Sequence, residues 1–401
     1  MIWRCLILKK TRLIGAILLV TAIILIISLT KDKFKTDTSI LSTDEVLEKE
    51  LLKNTKAIIY LSTPADQDID DKGVSYGVFV QDDHSVQALT MKGLELGSVA
   101  IGKNQVLLED KNNINIISDN TKKFKMDTPQ YTGERTGYLP EKELFFSIYN
   151  SGFVEDGYSS DVRYGDSKGF NVDSIPYYIT ASGIAENEVP ILTQDFAKNR
   201  FDLREVTFDE KLKINDLTTI QSESTENMQV LAPILSDEND YYLILSEVIN
   251  DTHEKVSIYR INKKTLRQER FDFIDYKKVD LTATIPYNYK NSATLYNNKL
   301  YYANGLGEIY SFDLKSTAVS KAFSLNNISK SKVRNNEETY FKEGNLYVLR
   351  YSPHKKEHYY LESYSLDKGI VTDSFDIKGL DAIINEPKNK KVYSYDLKIL
   401  K

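Results

Sequence analysis

The chain has 401 residues, of which 41% are hydrophobic and 27% charged, with only 9 prolines and 18 glycines, a composition that excludes a largely disordered chain. The net charge is −6, yet residues 1–35 hold seven basic residues and one acid, so the remaining chain carries −12. An acidic body argues against nucleic acid as a partner, because that binding depends on neutralising phosphates. The single cysteine, Cys5, excludes an intrachain disulfide.

An uncharged apolar run, "LIGAILLVTAIILIISLT", occupies residues 13–30. As a helix rising 1.5 Å per residue it would span about 27 Å, close to the hydrocarbon thickness of a bilayer. A buried core helix is one alternative, but it would normally carry a polar stripe. A cleaved signal peptide is another, but residues 28–31 read Ser-Leu-Thr-Lys and lack the small-residue pattern of a cleavage site. We expect an uncleaved transmembrane helix in the lipid bilayer.

The basic residues around this run predict its orientation. Four precede it and three follow it, so the positive-inside rule favours a cytoplasmic N-terminus by a margin of one. We therefore expect residues 1–12 to form a cytoplasmic tail, 13–30 the transmembrane helix, 31–55 a juxtamembrane stem, and 56–401 an extracytoplasmic domain. The sequence thus predicts a single-pass protein of the cell membrane.

A short strand pattern recurs in the C-terminal part of the chain. Its copies begin at Tyr259, Tyr310, Tyr364 and Tyr393, and each runs tyrosine, polar residue, apolar residue, Asp or Asn. Apolar and polar residues alternate as in a half-buried strand, and the terminal Asp or Asn favours a turn. The first three tyrosines lie 51 and 54 residues apart. That interval fits one four-stranded blade of a β-propeller.

The length of the domain predicts the number of blades. Residues 56–401, at about 50 residues per blade, give about seven blades, with six or eight also compatible. The copy at Tyr393 follows the previous one by only 29 residues, which indicates an incomplete last blade. The early strand "KAIIYLST" (56–63) is the candidate that completes this blade and closes the ring. A pair of β-sandwiches is the alternative, but the regular repeat favours an all-β propeller behind an N-terminal transmembrane helix.

Shorter stretches of the less regular half also predict strands. Residues 104–120 indicate a hairpin with a polar turn, and residues 143–150 and 176–184 each indicate a strand.

The repeated strand ends, mainly within residues 240–401, resemble those of membrane-anchored β-propeller ectodomains of the quinoprotein or YVTN-like kind. The resemblance implies a propeller shape and no specific activity. A quinoprotein would be expected to hold a quinone cofactor through tryptophan-rich docking motifs. The single tryptophan here is Trp3, in the N-terminal tail, so we expect no cofactor.

One stretch matches a zinc-protease signature, since His354, Glu357 and His358 spell H-x-x-E-H. In that signature the two histidines must lie one helical turn apart on one face of a helix. Here Pro353 precedes the motif and strand-like sequences flank it on both sides, which predicts an exposed blade loop. We therefore assign no metal ligand to these residues.

A second stretch resembles the start of a calcium loop, with Asp66, Asp68 and Asp70 at alternate positions. The sixth position is Asp71 instead of glycine and the twelfth is Gly77 instead of glutamate, so a solvated acidic loop is expected. The chain has no G-x-S-x-G elbow and no P-loop. We assign no catalytic, cofactor-binding or metal-binding residue, and we interpret the isolated His84 and His253 as loop residues.

Tyrosine pairs recur at residues 177–178, 241–242, 301–302 and 359–360. Neighbours in a strand point to opposite faces, so we expect most of these rings to pack between blades, although exposed aromatic rings can also stack on sugars or peptides. With no dense catalytic motif, we favour an extracytoplasmic protein that binds an envelope or surface partner, protein or glycan, through the propeller loops. An extracytoplasmic enzyme acting on glycans or peptides, or an accessory or sensory subunit of a membrane complex, stays open.

Overall fold

The structure is a computed structural model that describes residues 38–41, 51–68, 70–155, 157–196, 198, 200–221, 227–326, 328 and 336–401. The predicted transmembrane helix at 13–30 lies outside these residues. Within the described ranges, no helix is long and apolar enough to cross a bilayer.

Seven β-sheets follow one another along the chain, and we call them blades 1 to 7. Blade 1 begins with β1 (Thr38–Leu41), β2 (Thr55–Ser62), β3 (Val74–Gln81) and β4 (Val86–Lys92). Blade 2 contains β5 (Val99–Ile101), β6 (Val106–Glu109), β7 (Asn113–Ile117) and β8 (Lys122–Lys125). Blade 3 contains β9 (Gly133–Leu139), β10 (Leu144–Val154), β11 (Gly157–Asp166) and β12 (Gly169–Ile175). Blade 4 contains β13 (Tyr178–Ser182), β14 (Glu188–Asp195), β15 (Arg200–Phe208) and β16 (Leu212–Thr219).

The remaining strands continue the same arrangement. Blade 5 contains β17 (Met228–Val230), β18 (Leu235–Ser236), β19 (Asp240–Asn250), β20 (His253–Asn262) and β21 (Gln268–Lys277). Blade 6 contains β22 (Ala293–Tyr296), β23 (Lys299–Ala303), β24 (Glu308–Asp313) and β25 (Val319–Ser324). Blade 7 contains β26 (Glu338–Lys342), β27 (Asn345–Tyr351), β28 (Tyr359–Ser365) and β29 (Val371–Asp376), and β30 (Tyr393–Ile399) returns to blade 1. The described helices are short: α1 (Leu281–Thr284), α2 (Leu380–Ile384) and 3-10 turns at Leu51–Asn54, Ala65–Gln67 and Tyr289–Asn291.

The ring closes inside blade 1, as the sequence predicts. Strand β30 pairs antiparallel with β2, with Ala57 opposite Ile399 and Tyr60 opposite Asp396. The early strand "KAIIYLST" therefore completes a blade whose innermost strand comes from the C-terminus. The tyrosine repeat is less uniform than expected, because β20, β24 and β28 are third strands of their blades, whereas β30 is a first strand.

Part of the predicted stem belongs to the propeller. Strand β1 pairs in parallel with β4 and adds a fifth strand to the outer edge of blade 1, with Thr38 opposite Val86. Leu41 at its end is only 2% exposed and packs among apolar residues of blades 1 and 2. The sequence around β1 carries no repeat signal that distinguishes it from a free stem.

Apolar clusters between neighbouring blades form the core, and the tyrosine pairs contribute as expected. Tyr241 packs in the cluster between blades 4 and 5, while its neighbour Tyr242 packs in the cluster between blades 5 and 6. This division follows from the two-residue period of a strand, which sends adjacent side chains to opposite faces. The pairs at 301–302 and 359–360 are also buried, whereas Tyr177 and Tyr178 are only half-buried.

The topology gives the propeller two distinct faces. Within a blade the four main strands alternate in direction, so the fourth strand ends at the same end of the ring at which the first strand began. The chain then enters the next blade from that end, and all first strands therefore run in the same direction. We call the end where the first strands begin the upper face and the opposite end the lower face. Connections between second and third strands, and connections between blades, lie at the upper face. Both loops that resemble metal sites, 66–73 and 352–358, are of this kind.

Candidate functional site

Part of the connection from blade 5 to blade 6 reaches the axis of the ring, and we call this segment, residues 285–292, the central plug. Its Lys290 Nζ donates to the carbonyl oxygens of Leu96 (2.6 Å) and Gly133 (3.3 Å), which precede or begin the first strands of blades 2 and 3. Its Asn291 Nδ2 donates to Asp396 Oδ1 in β30 at 2.6 Å. The plug therefore ties several blades together at the centre.

Further plug contacts reach blades 3 and 7. The Tyr289 hydroxyl donates to Glu134 Oε2 at 3.2 Å, and Asn288 Nδ2 donates to Glu338 Oε2 at 2.8 Å. Asn288 also begins the 3-10 turn of the plug, because its Oδ1 accepts from the Lys290 backbone N–H at 2.9 Å. Asparagine is favoured at such positions since its short side chain can satisfy an orphan backbone donor.

A glycine allows the two carbonyl oxygens to converge on the lysine. A Cβ added at Gly133 would lie only 2.8 Å from the Leu96 carbonyl oxygen, closer than real Cβ contacts come. Only glycine therefore fits where the two chain segments meet beside Lys290.

Burial shifts the pKa values of the charged groups at the axis. Lys290 is 5% exposed, and its burial lowers its pKa to about 8 against the opposing effect of Glu134. Burial raises the pKa of Glu338 to about 8, with a smaller contribution from the negative charge of Asp396. The pKa of Tyr289 is also raised, first by burial and then by Glu134. The raised pKa of Glu338 favours its protonated form near neutral pH.

Two open cavities flank the plug at the upper face, and Leu96 and Tyr289 line both of them. Cavity A has a volume of about 600 Å³ and cavity B of about 480 Å³. Both volumes fall within the range usual for small-ligand sites. The lining of cavity A includes Pro64, Asp66, Gln67, Glu95, Pro286, Tyr287, Asn288, Glu338, Tyr393 and Tyr395. The lining of cavity B includes Thr132, Glu134, Asn150, Tyr158, Tyr178, Thr180, Gln194, Phe201, Met228 and Gln229.

Cavity A is acidic and tyrosine-rich. Glu95 Oε2 already accepts from the Ala65 backbone N–H at 3.3 Å, and Glu338 accepts from the plug. Burial raises the pKa of Tyr395, and the negative charge of Glu95 raises it further. Much of the hydrogen-bonding capacity of this lining is therefore used within the protein.

Cavity B combines aromatic rings with amide side chains. The rings of Tyr158 and Tyr178 lie 5.1 Å apart at an interplanar angle of 84°. Burial raises the pKa of both phenols, and Glu134 adds to the effect at Tyr178. Gln194 and Gln229 make no side-chain hydrogen bond to another described residue. This lining leaves amide donors and acceptors available to a ligand.

A row of aromatic rings leads from cavity B onto the open surface. We call Phe153, Tyr158, Tyr178 and Phe196 the aromatic row, and its successive ring centroids lie 5.0, 5.1 and 5.4 Å apart. Phe153 is 80% exposed and Phe196 57% exposed. Monomeric proteins seldom expose contiguous large apolar side chains without a function, so the row marks a candidate contact surface.

The zinc-protease-like stretch is a loop between β27 and β28, as predicted. His358 Nδ1 lies 2.9 Å from Asp381 Oδ1, and Glu357 accepts from the Gly379 backbone N–H at 3.3 Å. Both side chains therefore pack against the region of α2 and are not directed at a common point with His354. No group of three or more metal-ligating side chains converges in the part of the chain that the structure describes.

The calcium-like loop is held by lysines. Asp68 and Asp71 pair with Lys111 Nζ at 2.8 and 2.9 Å, and Asp70 pairs with Lys72 at 2.9 Å. We expected a solvated loop, but Asp68 is buried. Its carboxylate also accepts a hydrogen bond from the Gly73 backbone N–H.

The two remaining histidines lie on different blades. His84, in the loop between β3 and β4, stacks on Phe375 of blade 7, and His253 Nε2 lies 2.8 Å from Asp275 at the upper end of blade 5.

Sequence reasoning did not find the plug or cavity B. The available signal was the long connection between β21 and β22, rich in Tyr and Asn, in "IPYNYKNS". Tyr178 of the pair at 177–178 lines cavity B, because it stands at the upper end of a first strand.

Comparison with known proteins identifies the family. The family model described as "YycP, beta-propeller domain" matches residues 50–400. The uncharacterized protein YycP of Bacillus subtilis (strain 168) is 30% identical over 364 residues, which cover 90% of this chain and 92% of that protein. The chain therefore belongs to the YycP β-propeller family.

Solved structures of lower similarity were also found. Apo AztD from Citrobacter koseri is 8% identical with a TM-score of 0.44, over 86% of this chain and 98% of that one. BamB from Moraxella catarrhalis is 9% identical with a TM-score of 0.39, over 69% of this chain and 74% of that one.

Proposed function

We propose that this member of the YycP β-propeller family is a membrane-anchored, extracytoplasmic binding protein whose upper face engages a partner in the cell envelope. One observation carries the proposal: cavity B and the aromatic row form a continuous surface of aromatic and polar side chains at the upper face of the ring. At the upper face, residues of blades 2, 3, 4 and 5 and of the plug line cavity B together, so a ligand there can contact several blades at once. Ligand sites with this combination of aromatic and polar lining are common.

The anchor in this proposal is the apolar run at residues 13–30. Its length suits a bilayer, and the basic tail before it favours retention of the N-terminus in the cytoplasm. The acidic body is compatible with export, since long domains translocate largely regardless of charge.

The position of β1 supports an orientation for the propeller. Because β1 runs parallel to β4, and β4 runs toward the upper face, Thr38 lies at the lower end of blade 1. The seven residues 31–37 that separate Thr38 from the proposed anchor can span at most about 25 Å when fully extended. In this proposal the lower face is thus held close to the membrane, and the upper face points away from it toward the envelope.

Binding to isolated envelopes tests the proposal. The full chain in detergent would be mixed with cell-envelope fragments and sedimented, and the double variant Phe153→Ser and Phe196→Ser would be compared with wild type. We expect the double variant to lose most of the sedimented protein. Ile370→Ser is the matched control, because Ile370 is 55% exposed but lies in a lower-face loop of blade 7. Equal sedimentation of wild type and the double variant would contradict the proposal.

A further inference from the structure

We infer that cavity B binds a neutral pyranose unit of an oligosaccharide, and that the aromatic row supports the neighbouring units. This inference rests on the proposed function and names the ligand class that the upper face would take. It is carried by three features of the described lining: aromatic rings, free amide side chains and the scarcity of charge.

The aromatic rings are arranged to hold a ligand with flat apolar patches. Four rings succeed one another at 5.0 to 5.4 Å across blades 3 and 4, and the two terminal rings are largely exposed. A pyranose ring presents axial C–H groups on one side, and these groups favour the electron-rich face of an aromatic ring. A row of rings at the surface therefore suits a ligand that repeats such patches along its length.

The polar side chains of cavity B suit hydroxyl groups. Gln194 and Gln229 each offer two N–H donors and a carbonyl acceptor that bond no other described residue. A hydroxyl group both donates and accepts hydrogen bonds, so it can bond either the N–H groups or the carbonyl oxygen of an amide side chain. Asn150, by contrast, already bonds the Ile179 carbonyl oxygen at 3.1 Å and helps to shape the wall.

The charge of the lining disfavours other ligand classes. Among the described residues, Glu134 is the only acidic one in this lining, and it already accepts from Tyr289 and from the Ser182 hydroxyl at 2.9 Å. No basic side chain lines cavity B in the described part of the chain, so an anionic ligand would find no partner there.

The test measures binding of two soluble probes, cellotetraose and chitotetraose, to the full chain in detergent by calorimetry. We expect Tyr178→Ala to weaken the binding of the better probe about tenfold, because the stacking surface is lost. Tyr178→Phe keeps the ring and should bind nearly as well as wild type. Gln194→Ala should weaken binding through the lost hydrogen bonds. Tyr131→Ala is the control, because this exposed ring lies at the upper face but outside cavity B.

The outcomes separate this inference from the proposed function. If neither probe binds, or if Tyr178→Ala and Gln194→Ala bind like wild type, the inference is wrong. If envelope fragments still sediment the chain through Phe153 and Phe196 while a soluble alanine-rich pentapeptide competes and the sugars do not, the proposed function stands and the saccharide inference falls. Binding of a sugar that depends on Tyr178 and competes with envelope fragments supports both.

Discussion

Lys290 Nζ lies 2.6 Å from the carbonyl oxygen of Leu96, although 194 residues separate them in the sequence. The contact joins the plug to the loop that leads into blade 2; Leu96 lines cavities A and B, and Lys290 lines cavity A. The geometry of the candidate site therefore depends on a plug that is fixed from across the ring.

Replacement of this lysine should destabilise the protein. In Lys290→Met the Leu96 and Gly133 carbonyl oxygens lose a buried hydrogen-bond donor, which destabilises the folded protein. Removal of the buried charge offsets part of this loss. We expect a net decrease of about 2 kcal/mol in the free energy of unfolding. Lys356→Met is the control, because the Lys356 side chain is 94% exposed and should change stability by less than about 0.5 kcal/mol. Urea unfolding measures both, and equal midpoints for the two variants would contradict the role of the plug.

The buried Glu338 should make stability depend on pH. Burial raises its pKa from 4.5 to about 8 in the folded state, so between these values the unfolded chain releases a proton that the folded protein keeps. Stability contributed by this proton is complete below about pH 4.5 and is lost as the pH rises toward 8.

The variant Glu338→Gln isolates this effect and keeps a carbonyl oxygen for Asn288. Glu109 is also buried with a pKa raised to about 8, so wild type should lose stability through both groups. We expect the free energy of unfolding of Glu338→Gln to fall less steeply between pH 5.5 and 7.5, by up to about 1.4 kcal/mol per pH unit. Parallel pH profiles for the two proteins would show that Glu338 is charged in the folded state.

Closure of the ring should depend on both chain ends. Deletion of residues 393–401 removes β30, exposes the edge of β2 and takes away the Asp396 acceptor of the plug. We expect aggregation or loss of cooperative unfolding, and the same result when 56–63 are deleted, because exposed strand edges pair with other chains. Removal of Lys401 alone is the control and should be tolerated. A folded, monomeric 1–392 chain in size-exclusion chromatography would refute closure at this strand pair.

Removal of the outer strand should have a smaller effect. Deletion of residues 36–50 takes away β1 but leaves the pairing of β2 with β30 intact. We expect the ring to fold and to lose about 2 kcal/mol, since Leu41 is 2% exposed and a buried leucine contributes about that much. Chemical unfolding measures this loss. A chain that fails to fold without 36–50 would show that β1 is essential to the ring.

Cysteine labelling tests the topology. The chain has one native cysteine, Cys5, in the predicted cytoplasmic tail, so the double variant Cys5→Ser and Lys356→Cys carries a single thiol in an upper-face loop. We expect a membrane-impermeant maleimide to label this variant in intact cells. Wild type provides the control, because Cys5 should be labelled only after permeabilisation. The reverse pattern would contradict an extracytoplasmic propeller.

The sequence predicted the ring because its signal is local and repeated. Alternating strands and tyrosines about 50 residues apart indicate blades, and the short last interval indicates that "KAIIYLST" closes them. The tyrosine pairs at 241–242 and 301–302 pack between blades for the same periodic reason.

The candidate site escaped prediction because its contacts are distant in the chain. The sequence of the plug shows no regular alternation of apolar and polar residues. Its partners Leu96, Glu134 and Asp396 lie 105 to 194 residues from the plug residues that they contact. Tyr178 has the same local sequence context as the buried pairs, and only its place at the upper end of β13 exposes it to cavity B.

Photo-crosslinking in intact cells tests most directly whether the upper face is the binding surface. A photoreactive amino acid would replace Phe196 at the upper face or Ile370 at the lower face, two positions of similar exposure at 57% and 55%. We predict crosslinks to envelope material from position 196 and not from position 370. Crosslinks from position 370 alone, or from neither position, would contradict the assignment of the upper face as the surface that engages the envelope.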